Sequence, residues 1–413
     1  MSARTELLTG RRRTQALSLT LLAALAILAT YLRPNGASVA NAALRRADCD
    51  SARESLESAP ERHAGDTAQE LDRAGALERL GRCFGQQGRY AEAETALERA
   101  LEIRERILGR EHQSVADVLH ALGWFETHAG RYAAAAPFLE RALALRIRLL
   151  GPTHVDVAAT QNDFAFLRYL EGRLDESQAL LRPALETRER ALGPAHASIA
   201  ESVNLLGLIY RSRGLLREAN AEFERALAIH ASIRERALAG TLLDSLGERP
   251  RRFLRRFAPE NPDVGSILSN LASVQAAEGR LSDAERSLER AVGILERELN
   301  GEHPSVGGAL SNLGSIYQHE GKTILAEHAY TRAIEILDRS PSADDPELGR
   351  ALQNLGSLHA AEHRYADARR HLERGLEILR KSLPPGHPDI ARAHRNLMAI
   401  CEQAGGRECG APA

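Results

Sequence analysis

An all-α solenoid of stacked, antiparallel helix pairs is the fold class that the sequence predicts, and three observations predict it. The composition is the first. The 413 residues are 43% apolar but only 4% aromatic, and Ala, Leu, Glu and Arg favour helices and pack poorly as strands. The second is a turn mark that recurs at Gly88, Gly130, Gly172, Gly214, Gly279, Gly321, His363 and Gly405, in steps of 42 residues broken once by a step of 65. The third is a set of small residues in fixed register with the marks. Gly81, Gly123, Ala165, Gly207, Ala272, Gly314 and Gly356 stand seven residues before them; Ala93, Ala135, Ser177, Ala219, Ala284, Ala326 and Ala368 stand five after. Apolar residues at helical spacing flank each mark, so each unit reads as two amphipathic helices, A and B, joined at a glycine with a left-handed backbone. Neither helix can bury its apolar face alone, and the units must stack.

The elements follow in chain order. Residues 1–33 carry Arg11-Arg12-Arg13 and then the uncharged run Ala16–Leu32 with seven leucines. At about 1.5 Å per residue this run reaches roughly 25 Å, close to the hydrocarbon core of a bilayer. The arginine-rich start predicts a cytoplasmic N-terminus and a repeat domain outside the cytoplasm, through an uncleaved anchor at 16–32 or by secretion after signal cleavage. Residues 34–73 read as a helical linker or N-terminal cap, interrupted at Ala59-Pro60. Repeats one to four occupy 74–229 and repeats five to seven 261–390, and 391–413 holds a capping helix and tail. Between the blocks lies a basic insertion, 230–260, in which Phe253 and Phe257 share a face amid Arg251, Arg252, Arg255 and Arg256. It extends a B helix and either packs its phenylalanines on the solenoid edge or docks an anionic surface.

The repeated units resemble the tetratricopeptide repeat, and their 42-residue length, with linkers such as Leu108-Gly109…His112 and Leu150-Gly151…His154, is similar to the kinesin-light-chain type. That resemblance implies a right-handed superhelix whose A helices line a concave groove. It also implies that groove asparagines contact the backbone of a bound peptide. Nine residues before successive marks come Asn270, Asn312, Asn354 and Asn396, with Asn162 and Asn204 one residue earlier in their own repeats. A carboxamide both donates and accepts and can hold a peptide whatever its side chains, or else bond to the neighbouring A helix. Arg350, Arg392 and Arg395 at the C-terminal end suit an acidic peptide or a carboxylate terminus. Trp124, with Phe166 and Tyr169, offers apolar pockets toward the N-terminus.

Other chemistry finds little support. His112, His154, His196, His303 and His387 share one linker position, but equivalent positions lie roughly two interaxial distances of 8–10 Å apart, too far for one metal ion. A capping role before the next helix is expected instead, and no metal or cofactor is expected. No phosphate loop, metalloprotease helix or nucleophile elbow stands out, so no catalytic residue is assigned. A formal charge of −2 argues against nucleic acid as the partner. Cys49, Cys83, Cys401 and Cys409 read either as two end staples, Cys49–Cys83 and Cys401–Cys409, or as four ordinary thiols. The function expected is a protein or peptide scaffold, with a membrane-anchored regulatory or sensory domain as the alternative.

Overall fold

The computed structural model describes residues 67–86, 89–239, 260–299, 301–339, 346–383 and 385–403. The apolar run 16–32, the linker up to residue 66, insertion residues 240–259 with both phenylalanines, and the tail with Cys409 lie outside the described residues. Among the described residues no helix is long and apolar enough to cross a membrane.

The described residues form fifteen α-helices and no strand. They are α1 (Thr67–Gln86), α2 (Tyr90–Leu108), α3 (Gln113–His128), α4 (Tyr132–Leu150), α5 (Val155–Leu170), α6 (Leu174–Leu192), α7 (Ala197–Ser212) and α8 (Leu216–Ala239). After the insertion come α9 (Pro262–Ala277), α10 (Leu281–Leu299), α11 (Pro304–His319), α12 (Thr323–Asp338), α13 (Pro346–Ala361), α14 (Tyr365–Ser382) and α15 (Pro388–Gln403). Odd helices are the A members and even helices the B members of seven pairs, and α15 closes the row. Each B helix also packs on the following A helix, and neighbouring A helices touch one another. The insertion leaves this order intact: α8 runs 24 residues where α6 and α10 run 19, and it still packs against α9.

Each turn mark among the described residues is a backbone device. Gly130, Gly172, Gly214, Gly279 and Gly321 hold φ between 73° and 78°. The residue after each mark returns its N–H to a carbonyl five residues back, as in Arg131 to Glu126 at 2.9 Å and Lys322 to Tyr317 at 2.8 Å. This is the Schellman closure of a helix C-terminus. The seventh mark is the exception in chemistry though not in shape, since His363 adopts φ 61° with a side chain in place.

The linker histidines cap helices. Nδ1 of His112, His154, His196, His303 and His387 accepts the backbone N–H two residues on, at 3.1–3.2 Å, and Asn261 does the same through Oδ1 at 2.8 Å. Each bond satisfies a donor that the first helical turn leaves orphaned.

The small residues mark where A crosses B. Ala93, Ala135, Ser177, Ala219, Ala284, Ala326 and Ala368 are all fully buried. A methyl placed on Gly314 would come within 2.8 Å of the Tyr330 ring, and one on Gly207 within 2.6 Å of Phe223. At the last A helix the register ends with Met398, which is 45% exposed, as suits a helix with no following pair.

The joints between pairs come in two kinds. Sixteen residues after successive marks stand Arg104, Arg146, Arg188 and His230, then Leu295, Leu337 and Leu379. Arg188 is 5% exposed and donates to the Ser198 carbonyl at 2.6 Å and the Ser202 hydroxyl at 2.8 Å, both on α7. Arg146 repeats this toward Asp156 O and Thr160 on α5, and Arg104 toward Ser114 O on α3. In the later repeats each leucine lies against a glycine of its own A helix. A methyl on Gly307 would stand 2.7 Å from Leu337 Cγ. The earlier repeats have alanine there: Ala74, Ala116, Ala158 and Ala200.

The row of pairs also returns on itself. Tyr132, the first residue of α4 in the second pair, packs against Leu376, Leu379, Leu383 and Ala393 of α14, its linker and α15. The Gly130 turn approaches Ser382 in the same contact. Repeat two therefore touches repeat seven, and the A helices between them line one concave channel.

Candidate partner-binding groove

The channel wall is built from the positions thirteen, ten, nine, six, three and two residues before each mark. Helical spacing places these along one side of every A helix, although Gln318 and Gln353 among them also bond groups of their own B helix. The wall changes character along its length.

Toward the N-terminus it is aromatic. Trp124 stacks on His128 with ring centroids 3.8 Å apart, His128 lies 5.8 Å from Phe166, and Phe166 lies 6.4 Å from Tyr169 and nearly parallel to it. The four rings form one strip across α3 and α5. The ring N–H at His128 Nδ1 donates to the Trp124 carbonyl at 2.8 Å. His128 stays exposed, yet the walls crowding its ring strip away enough water to push its pKa down, a shift only partly opposed by that bond. Beside Trp124 is a hollow of about 330 Å³ lined by Arg82, Asp117, His120, Phe125 and Arg146.

Beneath the strip runs a polar network that joins three repeats. His120 Nε2 lies 2.7 Å from Asp163, Asn162 donates weakly to Asp163 at 3.4 Å, and Ser202 donates to Asn162 at 2.8 Å. Burial works against the Asp163 charge, but the His120 and Asn162 bonds hold its pKa below the usual aspartate value. Glu201 goes the other way, raised by burial despite Arg188. Arg211 marks the middle of the wall, donating to Ser273 at 2.7 Å and reaching the Tyr169 hydroxyl at 3.5 Å.

Toward the C-terminus the wall is polar, with amides and hydroxyls on α9 and α11 and arginines joining them on α13 and α15. The asparagines that the sequence singles out all reach the groove face, and most bond across to the neighbouring A helix. Asn270 donates to Asn204 at 3.1 Å, Asn354 to Ser311 at 3.3 Å and Asn396 to Ser357 at 3.5 Å. Asn312 is exposed and has no hydrogen-bond partner among the described residues.

The three arginines differ. Arg350 is paired with Asp389 at 2.8 Å and with Glu347. Burial opposes its charge, but the two carboxylates outweigh burial and raise its pKa. Arg392 is also held by Asp389, at 2.8 Å. Arg395 is exposed with no ion pair among the described residues. One shared aspartate therefore links the Arg350 and Arg392 sites, and only Arg395 keeps an unpaired charge.

Sequence reasoning missed the joint arginines and the His120–Asp163 pair. The joints carried a signal, an arginine recurring every 42 residues on B helices, although B-helix charge ordinarily marks a solvated face. The pair carried none, because neither residue recurs. Cys83 and Cys401 are both disulfide-bonded, and no cysteine among the described residues is free.

A family model for the tetratricopeptide repeat matches residues 72–148, 156–232, 263–339 and 305–381, more than half of the sequence, and the chain belongs to that family. Among solved structures, BtubC (BKLC) from P. vanneervenii is 24% identical, with the match covering 63% of this chain and 94% of that one at a TM-score of 0.46. A putative kinesin light chain with nearly identical repeats, from Podosopora anserina, is 23% identical over 56% of this chain and 98% of its own, with a TM-score of 0.39. A Rap protein complexed with Competence and Sporulation Factor is 14% identical over 81% and 98%, with a TM-score of 0.47. No curated protein matches the chain.

Proposed function

We propose that this tetratricopeptide repeat chain is a non-catalytic scaffold that holds an extended peptide, or the extended segment of a partner protein, along its inner wall. The observation that carries the reading is the wall itself. Side chains from α3 through α13 line it, from an aromatic strip to a row of amides and hydroxyls. Rings offer apolar contact area, and the amides can serve any backbone, so the surface suits a chain without fixed structure. Arg395, free of a carboxylate partner, suits an acidic residue or a C-terminal carboxylate. A formal charge of −2 makes protein a better partner than nucleic acid.

The test compares partner recovery by the full chain with recovery by a variant carrying Phe166→Ala, Asn312→Ala and Arg395→Ala. Loss of the partner from that variant, with recovery kept when the outward Arg370 is changed to Ala, supports the groove. Equal recovery by both overturns it.

A second reading concerns placement, and one observation favours it. Disulfides at Cys83 and Cys401 fit an oxidising compartment. With the apolar run 16–32, they support a right-handed superhelical domain held outside the cytoplasm, anchored or secreted, as a scaffold or as the sensory part of a larger assembly. Protease added to intact cells should then degrade the repeat domain. Protection equal to that of a cytoplasmic marker would sink this placement.

A further inference from the structure

We propose that the seventh repeat carries a metal site, in which His359 of α13 and His371 of α14 together hold one divalent ion of the zinc type. Both residues lie where helix A meets its own helix B, not in the groove.

These two places face each other across the crossing. His359 stands four residues before its turn mark and His371 eight after. In repeat five the same places hold Gln275 and Ser287, and the serine hydroxyl donates to the carboxamide oxygen at 2.9 Å. Polar ends at this level of a crossing therefore converge. Repeat two has Glu126 and Phe138 there, and among the described repeats only the seventh has two imidazoles.

Their spacing suits a shared ion. The ring centroids stand 5.3 Å apart, with the planes tilted by 57°. Two imidazoles bonded to one tetrahedral zinc at about 2.0–2.1 Å have centroids about 5 Å apart. The packed helices hold the rings at that separation.

The surroundings of His359 prepare it as a ligand. The residue is 3% exposed, and its Nε2 lies 3.1 Å from Glu327 on α12. The Arg364 bond, helped by His359 and opposed by burial, holds the Glu327 pKa below the usual carboxylate range. An ionised carboxylate only accepts, so Nε2 carries the proton, and in the neutral ring Nδ1 keeps a bare lone pair. That Nδ1 is buried with no hydrogen-bond partner among the described residues. A carboxylate behind one ring nitrogen, with the other left bare, is how proteins orient a metal-bound histidine. His371 is half-buried, and burial, aided by His359 and Arg370, pushes its pKa down. Its ring is thus neutral at pH 7, the state that binds metal.

The nearby cations are each held by a carboxylate: Arg364 by Glu327 and Asp367, Arg370 by Asp367, and Arg374 by Asp338. Nitrogen ligands select zinc over Mg²⁺ or Ca²⁺, which take oxygen. Among the described residues no group of three His, Cys, Asp or Glu is arranged to hold a metal. The remaining positions on the ion therefore fall to water or to a partner's side chain, and the ion ties α13 to α14.

The full chain, stripped with chelator, is titrated with Zn²⁺ alone in a calorimeter, and with Mg²⁺ for comparison. A single saturable zinc site is expected, with Mg²⁺ about tenfold weaker or more. His371→Ala should weaken zinc about tenfold or more, and Glu327→Gln, which keeps both imidazoles, about tenfold. His328→Ala, exposed on α12, should change nothing. The double variant His359→Gln with His371→Ser installs the bonded pair of repeat five, so it should keep its helical circular dichroism and lose the zinc. Full-strength zinc binding by that variant would overturn the proposal, and so would silence from the unaltered chain.

Discussion

Repeats one to four and repeats five to seven share one crossing of A over B and differ in how each pair is jointed to the next. In repeats one to three an arginine reaches across and bonds the opening turn of the following A helix, with alanine opposite, and His230 takes its place in repeat four. In the second block leucine fills the slot, and glycine makes room for its branch. The 42-residue period therefore conserves volume at the joint and leaves its polarity open. The two solutions are not equivalent. An arginine joint is directional, because it satisfies named oxygens, and it pays for desolvation, which pushes the Arg188 pKa down. A leucine joint is apolar packing and tolerates no charge. The groove divides at nearly the same place, aromatic over the arginine joints and polar over the leucine joints.

Exchanging the joints is the strongest way to break this comparison. Leu337→Arg would place an unpartnered cation where Leu337 is fully buried and should cost about 4–5 kcal/mol or more. Arg188→Leu removes bonds to Ser198 and Ser202 but buries no new charge, and should cost roughly 2 kcal/mol. Urea unfolding midpoints measure both, and equal losses would mean that the two blocks are not differently built.

A smaller effect of opposite sign is expected at His363, the only turn mark that is not glycine among the described ones. A side chain in the left-handed region costs about 1–2 kcal/mol, and the bond from His363 to the Tyr365 hydroxyl at 2.9 Å returns part of that. His363→Gly should therefore stabilise the second block by about 1 kcal/mol or less. A fall in melting temperature would show that the histidine bond outweighs backbone strain.

The smallest effect belongs to His230, which occupies the joint slot between the blocks. Burial is the main cause of its depressed pKa, with Asp263 opposing. A histidine depressed in the folded state binds fewer protons than its unfolded counterpart, so the stability it contributes is present above about pH 6.5 and is lost as pH falls through that value. His128, His371 and His387 are depressed in the same direction, also mainly by burial. Melting temperature should drop between pH 7.5 and pH 5.5, and His230→Leu should shrink the drop. An undiminished drop in that variant would remove the fourth joint from the account.

Much of this fold is legible in the sequence because it is periodic. The turn marks, the small crossings and the capping histidines each repeat a local rule of backbone or packing, and a rule seen seven times is not an accident of composition. The groove was legible as a face, since helical spacing fixes which side of an A helix turns inward. The bonding on that face was not, because it depends on which neighbour stands across the gap. Asn354 meets a serine while Asn312 meets nothing, and Asp389 draws in both Arg350 and Arg392. Least legible was the contact at Tyr132. Tyr90 and Tyr365 hold the same place after their marks, and only the summed rotation of the four intervening repeats selects Tyr132 to touch α14.

That contact has a topological consequence. Two pairs far apart in the chain become direct neighbours, so each is braced by the other as well as by its own sequence neighbours. Loosening Tyr132 alone would leave every crossing of A over B intact and release only this long-range link.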